Sequence, residues 1–310
     1  MPSMSDRPLI ILTEHLDEAA IEWIGSKVDL KRCAVEDPDF DSLLAKAAGL
    51  LIRTYTIVDE SLLARAPMLK VVGRAGVGLD NVDLKACAAR GIEVVNTPDA
   101  NTQAVVEYVT SMITDHLRPR TPLENPVDAE AWSALRDGQI APRQMNEMTF
   151  GILGLGRIGS RMAEVAGAIG FRVIYNDIDD IPARSRHDAE AVDLDTLLEQ
   201  SDVLTIHVDG RPSNHGFLGG DQIEKLSNSI LLVNTSRGFV IDTTALADFL
   251  EQNPDAHAVL DVHEPEPVPS SNPLLGLPNA VLYPHLASRT RAAQANMSWV
   301  VRDVARVLGV

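Results

Sequence analysis

Cysteine and long apolar runs are scarce in this chain, and each scarcity excludes a class of protein. Only Cys33 and Cys87 occur among 310 residues, far apart and in no metal-ligand spacing. We therefore expect reduced thiols, no metal site and a cytoplasmic protein. No apolar run approaches the ~18 residues that cross a membrane, and the first residues lack the basic and apolar segments of a signal peptide.

Positive charge is scarce as well. Lysine and arginine number 27 against 44 aspartates and glutamates, so the formal net charge is −17 at pH 7. Nucleic acid and anionic membranes are therefore not expected as partners, because they carry the same sign of charge. An acidic small molecule would have to be held by local positive groups against this overall charge.

Short apolar strands alternate with amphipathic helical patterns along most of the chain, which is typical of parallel sheets with crossover helices. We predict a doubly wound α/β protein, long enough for two domains. The last pattern, 290–309, is interpreted as one long helix that either folds back on the first domain or caps the second. The predicted strands are 9–13, 49–53, 69–73, 92–96, 149–154, 171–176, 202–208, 230–234, 258–262 and 280–284.

Two glycine-rich turns follow predicted strands, and the second has the spacing of a dinucleotide-binding turn. Gly154, Gly156 and Gly159 form G-x-G-x-x-G between a strand and an amphipathic helix. Such glycines allow a tight turn, close approach of a pyrophosphate, and close helix–strand packing. Asp177 ends the next strand, where a carboxylate accepts from both ribose hydroxyls and repels a 2′-phosphate. The sequence therefore predicts NAD rather than NADP.

Chemically capable side chains follow three further predicted strands. Arg237 lies in "VNTSRGFVID", acidic and imidazole groups lie in "LDVHEPEP", and His285 lies in "PHLASRT". Because the carboxyl ends of parallel strands meet at one edge of a sheet, these segments offer arginine, carboxylate and histidine to one crevice.

These segments, with "GRAGVGLDNVD", "NTPDANTQAVVEY" and "GILGLGRIG", occur in an order that resembles the D-2-hydroxyacid dehydrogenase family along nearly the whole chain. Within that family, "LIRTYT" resembles the phosphoglycerate dehydrogenase branch, in a short form without a regulatory domain. The resemblance implies reversible hydride transfer between NAD(H) and a small 2-hydroxy or 2-keto acid, 3-phosphoglycerate among the candidates.

The resemblance also implies the catalytic roles. Arg237 would grip the substrate carboxylate and polarise its carbonyl, and His285 would be the general acid/base. The family pattern D-V-x-x-x-E-P selects Glu266 as the partner that raises the pKa of the histidine. Glu264 is the rival carboxylate and is interpreted as a solvated loop acid, and His263 as a packed or solvent-facing residue.

By the same resemblance, "RAGVG" is a cradle for the substrate carboxylate, in which backbone N–H groups from residue 75 to residue 78 form an anion nest. The implied substrate-binding residues are Arg53, Ala75, Gly76, Val77, Gly78, Arg237 and His285. The implied cofactor-binding residues are Gly154, Gly156, Arg157, Ile158, Gly159, Asp177, His207, Val208, Thr235, Ser236, Arg237, Asp261, His285 and Ser288. Asn101 and Glu107 match family positions near the hinge between the two domains of the family fold, and we expect structural roles for them.

The family fold implies two domains separated by a cleft. A flavodoxin-like substrate domain would comprise residues 1–98 and 289–310, and a Rossmann NAD domain residues 99–288. A homodimer is expected, with the cofactor domains meeting at the proline-rich surface excursion 117–145.

Two departures from the family pattern leave alternatives open. Asp209, Gly210 and Arg211 replace the usual Pro-Leu-Thr near the adenosine, so Arg211 could meet a 2′-phosphate. Ser288 stands where glycine is commoner. Hydroxypyruvate or glyoxylate reduction, a sulfonated lactate as substrate, and a non-catalytic NAD-sensing corepressor are the alternative functions. Glu266 argues against formate oxidation, because formate dehydrogenases of this superfamily carry glutamine there.

Overall fold

The computed structural model describes residues 7–310, which form two compact units. The first unit comprises residues 7–101 and 288–310, and the second comprises residues 102–287. The functional division into a substrate domain and an NAD domain, with its boundaries near 98 and 288, stays a prediction.

Twelve strands lie within residues 7–310. In chain order, β1 to β12 are Leu9–Leu12, Asp29–Arg32, Gly49–Ile52, Val71–Arg74, Glu93–Asn96, Thr149–Leu153, Arg172–Asn176, Glu190–Ala191, Val203–Ile206, Leu231–Asn234, His257–Leu260 and Ala280–Leu282. All ten predicted strands are present, within a few residues at their ends.

Twelve α-helices accompany these strands in the same residues. In chain order, α1 to α12 are Glu18–Gly25, Phe40–Leu44, Glu60–Ala64, Leu84–Ala89, Thr102–Leu117, Ala129–Asp137, Arg157–Ile169, Leu194–Gln200, Gly220–Ile223, Thr243–Gln252, Arg291–Ser298 and Val301–Leu308.

Part of the large acidic content serves to start helices. An aspartate carboxylate accepts a backbone N–H of the first turn in six of these helices, which satisfies an otherwise unpaired donor and places negative charge at the positive end of the helix dipole. The capping residues are Asp17, Asp59, Asp83, Asp128, Asp193 and Asp242.

The first unit is built on a five-stranded sheet with the order β2-β1-β3-β4-β5, in which every pair is parallel. This is the flavodoxin-like order of doubly wound folds. Helix α12 packs on β4, where Gly73 makes room: a Cβ there would lie 2.4 Å from Val304. The C-terminal segment therefore belongs to the core of the first unit.

The second unit is built on a seven-stranded parallel sheet with the order β12-β11-β10-β9-β6-β7-β8. The chain order reverses between β6 and β9, which is the topological switch point where doubly wound sheets bind ligands. The predicted fold class of two parallel-sheet α/β domains is thus confirmed.

Three details were not predicted. Strand β2 is the polar edge strand "DLKR", which has no apolar alternation to reveal it, and β8 contains only two residues. The single C-terminal helix predicted for 290–309 is wrong, because the helix is interrupted at Trp299 and Val300. Trp299 packs edge-on against Trp23, with ring centroids 6.2 Å apart, so the chain turns there to reach α1.

Candidate active site

Three neighbouring strands of the second unit end at one edge of its sheet. Strands β10, β11 and β12 are paired in parallel, with residue 231 opposite residue 257 and residue 258 opposite residue 280. The segments that leave these strands carry Arg237, Glu266 and His285 respectively. The topology therefore delivers a guanidinium, a carboxylate and an imidazole to the same edge.

The imidazole and the carboxylate are hydrogen-bonded. His285 Nδ1 lies 3.0 Å from Glu266 Oε2, and the other carboxylate oxygen, Oε1, accepts the backbone N–H of His263 at 3.0 Å. Both oxygens of Glu266 are thus held, which fixes the carboxylate relative to the ring. The Nε2 atom of His285 is the ring nitrogen left for a substrate.

The bond shifts the pKa of both partners. The hydrogen bond that His285 donates to the Glu266 carboxylate raises the pKa of the imidazole above its usual value, against the opposing effect of burial. Burial alone would raise the pKa of Glu266, but the bonds from His285 and from the backbone of His263 bring it below its usual range. The pair therefore keeps imidazolium beside carboxylate up to a higher pH than an isolated histidine would.

The backbone at His285 is in the left-handed region, with φ of +55°. Such a conformation is uncommon for a residue other than glycine, and surrounding contacts must hold it. Asp261 provides them: its carbonyl accepts the N–H of His285 at 2.9 Å, and its buried carboxylate accepts those of Leu286 and Ala287 at 2.7 and 2.8 Å. Burial raises the pKa of this carboxyl despite the two bonds.

Arg237 is held by the turn that follows β10. The Asn234 side chain is buried; its amide donates to the carbonyl of Arg237 at 2.9 Å, and its Oδ1 accepts from the Ser236 backbone at 2.9 Å. Gly238 lets this turn lie against the His263 backbone, because a Cβ there would come within 2.0 Å of the His263 carbonyl carbon. Arg237 interacts electrostatically with His285, which places its charge in the same site.

Two further titratable side chains of "LDVHEPEP", the rival carboxylate Glu264 and the imidazole of His263, have different surroundings. Glu264 is exposed, whereas Glu266 is the carboxylate that accepts the hydrogen bond of His285. The ring of His263 is buried and its Nε2 bonds the carbonyl of Tyr283 at 2.8 Å, so this histidine ties β11 to β12.

The second glycine turn has the geometry that its spacing predicts. Gly154 has φ of +91°, and a Cβ there would lie 3.0 Å from the backbone of His207. Gly159 at the start of α7 packs against the carbonyl oxygen of Gly154, which a Cβ would approach to 2.1 Å. A Cβ on Gly156, the N-cap residue of α7, would meet no atom of the described residues 7–310 within 4 Å.

Asp177 follows β7 and is bound to this turn. Its Oδ2 accepts the N–H of Leu155 at 2.6 Å, and its Oδ1 accepts the N–H of Asp179 at 2.9 Å. An ionised carboxylate can accept about four hydrogen bonds, so it retains capacity for the ribose hydroxyls.

Two buried polar atoms, one just after β9 and one just after β10, fit a bound dinucleotide. The Nε2 of His207 and the Oγ1 of Thr235 are buried with no hydrogen-bond partner among residues 7–310. Burial lowers the pKa of His207 to about 3, so this imidazole is neutral near pH 7. Together with the open space at Gly156, these atoms suit NAD, which carries both hydrogen-bonding and phosphate groups.

The other predicted cofactor contacts differ in their surroundings. Arg157 begins α7 and is exposed, while Ile158 and Val208 are half-buried against the core. Ser236 is buried and its hydroxyl bonds Asn234 Oδ1 at 2.7 Å. Ser288 belongs to the first unit, where its carbonyl accepts the N–H of Thr290.

The predicted nest of four successive N–H groups in the first unit needs a correction. The N–H of Ala75 already donates to the carbonyl of Ile52 at 2.8 Å, and that of Gly76 donates to the carbonyl of Arg74 at 2.9 Å. Pairing with β3 continues one residue past β4 and uses the first donor, and a tight local turn uses the second. Only Val77 and Gly78 could therefore take part in the nest as predicted.

A carboxylate of the protein itself occupies the backbone donors of the Arg53 loop. Glu14 accepts the N–H groups of residues 53, 54, 55 and 56 at 2.9 to 3.2 Å. Burial opposes ionisation of Glu14, but these four bonds bring its pKa below the usual value. The Arg53 side chain is anchored through Nη1 to the carbonyl of His15 at 3.4 Å.

Several residues that shape the site were missed by the sequence analysis. Asn234 and Gly238 stand inside the quoted segment "VNTSRGFVID", and a polar residue that ends an apolar strand was the available signal. Tyr108 on α5 interacts with Asp261 and packs edge-on against Tyr283 at 6.1 Å, and no local pattern marks it.

Comparison with known proteins agrees with these features. Residues 110–287 match the family model described as D-isomer specific 2-hydroxyacid dehydrogenase, NAD binding domain. D-3-phosphoglycerate dehydrogenase of Archaeoglobus fulgidus is 33% identical over 302 residues, covering 95% of this chain and 56% of that protein. Glyoxylate reductase of Aeropyrum pernix is 34% identical over 312 residues, covering 96% of this chain and 91% of that protein. The chain thus spans little more than half the length of the D-3-phosphoglycerate dehydrogenases that it matches.

The same agreement holds for solved structures. D-lactate dehydrogenase from Aquifex aeolicus, complexed with NAD and lactic acid, has a TM-score of 0.81 at 25% identity, covering 97% of this chain and 96% of that one.

A dinucleotide turn together with a histidine–carboxylate pair is typical of nucleotide-dependent oxidoreductases. This chain belongs to the D-isomer specific 2-hydroxyacid dehydrogenase family, which confirms the resemblance, and its second unit contains the NAD-binding domain. Within residues 7–310 no helix has the length and apolarity to cross a membrane.

Proposed function

We propose that this chain catalyses the NAD-dependent interconversion of a small 2-hydroxy acid and its 2-keto acid. The observation that carries the proposal is the 3.0 Å bond between His285 and Glu266, beside Arg237, at the carboxyl edge of the NAD-binding sheet. An acid/base, a group that sets its pKa and a fixed cation are what reduction of a keto acid requires.

The glycine turn and Asp177 would hold the dinucleotide, with the pyrophosphate near Gly156 and the adenosine ribose at the carboxylate. Thr235 and His207 would bond polar groups of NAD through their buried Oγ1 and Nε2 atoms. When bound, the reduced nicotinamide supplies the hydride that the 2-keto carbon receives.

The side chains of the second unit handle charge and protons. Arg237 pairs with the substrate carboxylate and polarises the keto oxygen, for which a planar, permanently charged fork is suited. His285 donates a proton from Nε2 to that oxygen, and Glu266 stabilises the imidazolium through Nδ1. In the reverse direction neutral His285 takes the hydroxyl proton at the same atom.

The first unit is proposed to bind the acid group of the substrate. Arg53 contributes charge, and Val77 and Gly78 contribute backbone N–H groups. Ala75 and Gly76 shape the loop, and the Arg74 guanidinium lies over Gly76, where a Cβ would come 1.5 Å from its Nη1. This arrangement would compensate locally for the net charge of −17.

The resemblance of "LIRTYT" to the phosphoglycerate dehydrogenase branch makes 3-phosphoglycerate and phosphohydroxypyruvate the first candidates. Glyoxylate or hydroxypyruvate reduction is the second candidate, because a glyoxylate reductase matches this chain along 91% of its own length. All of these substrates carry a carboxylate, but only the phosphorylated candidates carry a second anionic group.

A screen for NADH oxidation over 2-keto acids tests the proposal. Phosphohydroxypyruvate, hydroxypyruvate, glyoxylate, pyruvate and 3-sulfopyruvate are assayed with NADH and again with NADPH. We expect turnover with NADH and a loss of about 10²–10⁴-fold for H285A. If the wild type binds NADH but turns over none of these acids, and so does not differ from H285A, the result would favour the alternative that the protein is a non-catalytic NAD sensor.

The homodimer is proposed on the exposed segment between α5 and β6. Leu123, Val127, Trp132 and Ile140 present large apolar side chains to solvent there, and Ile140 is 74% exposed. Apolar side chains grouped on one segment are typical of interaction surfaces. Light scattering should give twice the chain mass, and W132D should shift the mass toward the monomer.

A further inference from the structure

The loop that follows β9 carries an ion pair where the family usually has Pro-Leu-Thr. Arg211 donates from Nε to Asp209 Oδ1 at 2.7 Å and from Nη2 to Asp209 Oδ2 at 2.6 Å. Asn214 donates to the carbonyl of Asp209 at 2.9 Å and to its Oδ1 at 3.2 Å. The guanidinium is thus held in a two-point bond by an acid two residues away, and the acid is itself fixed.

This pair lies beside the adenosine end of the proposed dinucleotide site. The backbone at His207 and Val208, just before the pair, packs against Gly154 of the glycine turn. Asp177 bonds the next residue of that turn, Leu155. Arg211 also interacts electrostatically with Asp177 and Asp179, so its charge lies near the carboxylate expected to bind the ribose.

A 2′-phosphate on the ribose would be placed against this arrangement of charges. It brings about two negative charges at pH 7, and Asp177 repels them. The nearby cation, Arg211, is already neutralised by Asp209. The ion pair therefore leaves the guanidinium of Arg211 little attraction for a phosphate at the ribose.

We propose that Asp209 is a cofactor-specificity residue: by holding Arg211 in a two-point ion pair, it withholds that charge from the phosphate that distinguishes NADP from NAD. The inference rests on the proposed NAD-dependent function and deepens it. Arg211 alone would suggest that the segment Asp209-Gly210-Arg211 attracts a 2′-phosphate, whereas the ion pair makes the segment disfavour it.

Replacement of Asp209 by asparagine (D209N) isolates this effect. The substitution keeps the size of the side chain but removes its charge and replaces one acceptor oxygen with an NH2 donor, so the two-point bond is lost and the positive charge of Arg211 becomes available to a phosphate. We expect the ratio of the dissociation constants of NADPH and NADH to fall at least about tenfold, which corresponds to about 1.4 kcal/mol.

The measurement is a binding titration, independent of turnover. Intrinsic fluorescence or calorimetry gives the dissociation constants of NADH and NADPH for the wild type, D209N, R211M and D209N/R211M at about 0.15 M salt, where exposed charges are realistically screened. The gain of NADPH binding in D209N should disappear in the double variant, because it acts through Arg211. D209S serves as a second variant, and thermal unfolding verifies that each variant is folded.

A matched control excludes an effect of net charge. D195N breaks another exposed ion pair, Lys225 with Asp195 at 2.5 Å, and changes the charge of the protein by the same amount. We expect its NADPH to NADH ratio to equal that of the wild type.

Each contrary result has a distinct meaning. An unchanged ratio in folded D209N and D209S, a gain that survives in D209N/R211M, or an equal gain in D195N overturns the specificity role of Asp209. Wild-type protein that binds neither dinucleotide overturns the proposed function instead.

Discussion

Glu266 and His285 form a hydrogen-bonded pair across two strand ends, with 3.0 Å between Oε2 and Nδ1. The bond raises the pKa of the imidazole, so imidazolium persists to higher pH than it would for an isolated histidine. Keto-acid reduction needs this protonated form, and its rate must fall as the pH rises through the pKa of His285. The pair therefore sets the alkaline limit of the proposed reaction.

E266Q should move that limit to lower pH. Without the carboxylate the pKa of His285 drops, and each unit of the drop reduces kcat/KM for keto-acid reduction about tenfold at a pH above both values. The pH profile of kcat/KM checks this, and E264Q is the matched control because Glu264 is exposed on the same segment. Equal profiles for E266Q and the wild type would contradict the role of Glu266.

R237K should lower kcat/KM about 10²–10³-fold while the dissociation constant of NADH changes little. A lysine keeps the charge but loses the planar fork that pairs with a carboxylate. Steady-state kinetics with the best keto acid, together with an NADH titration, separates the two effects. R172K, which alters an exposed ion pair with Glu190, is the control and should have the kcat/KM and NADH affinity of the wild type. If R237K lost NADH binding by the same factor as kcat/KM, the assignment of Arg237 to the substrate carboxylate would be refuted.

G156A and G159A should separate cofactor binding from folding. A Cβ at Gly156 meets no atom within 4 Å in the part of the chain that the structure describes, so G156A should cost less than about 1 kcal/mol of unfolding free energy yet weaken NADH binding. A Cβ at Gly159 would overlap the Gly154 carbonyl oxygen, so G159A should cost about 1–3 kcal/mol. Urea unfolding and NADH titration measure both quantities, and full NADH affinity in G156A would show that no phosphate approaches that glycine.

E14Q should destabilise the protein by about 1–3 kcal/mol at neutral pH, because four backbone donors lose a charged acceptor. The pKa of Glu14 is lower in the folded than in the unfolded protein, so its stabilisation is present above the unfolded pKa and is lost as the pH falls through the folded one. Urea unfolding should show a smaller difference in unfolding free energy between the wild type and E14Q below pH 4 than at pH 7. E22Q, at an exposed position of α1, should cost nothing at either pH.

The sequence was sufficient to predict those parts whose signals are local. The ten apolar strands follow from their runs, and the roles of Gly154 and Gly159 follow from their spacing. The polar edge strand β2 and the break at Trp299 depend on tertiary contacts, so no local pattern revealed them. The use of the Ala75 N–H by Ile52 also depends on strand pairing, which spacing alone does not give.

The site shows the same division. Resemblance to a family identified Arg237, Glu266 and His285, whereas the support beneath them consists of long-range contacts. Asp261 bonds the backbone around His285 across 25 and 26 residues of chain, and the anchoring of Arg237 depends on a glycine that touches a loop from another strand.

The first unit is interrupted in the chain: it is left at residue 101 and resumed at residue 288. Val300, Val301 and Val304, from the last helical segments, are buried in its core. During synthesis the ribosome releases all 186 residues numbered 102–287 before these valines emerge. The five-stranded sheet therefore cannot complete its core until the chain is nearly finished, and part of its apolar face stays uncovered. The intervening unit can fold before that point. Nascent chains stalled shortly after residue 287 should accordingly be the ones most prone to bind chaperones.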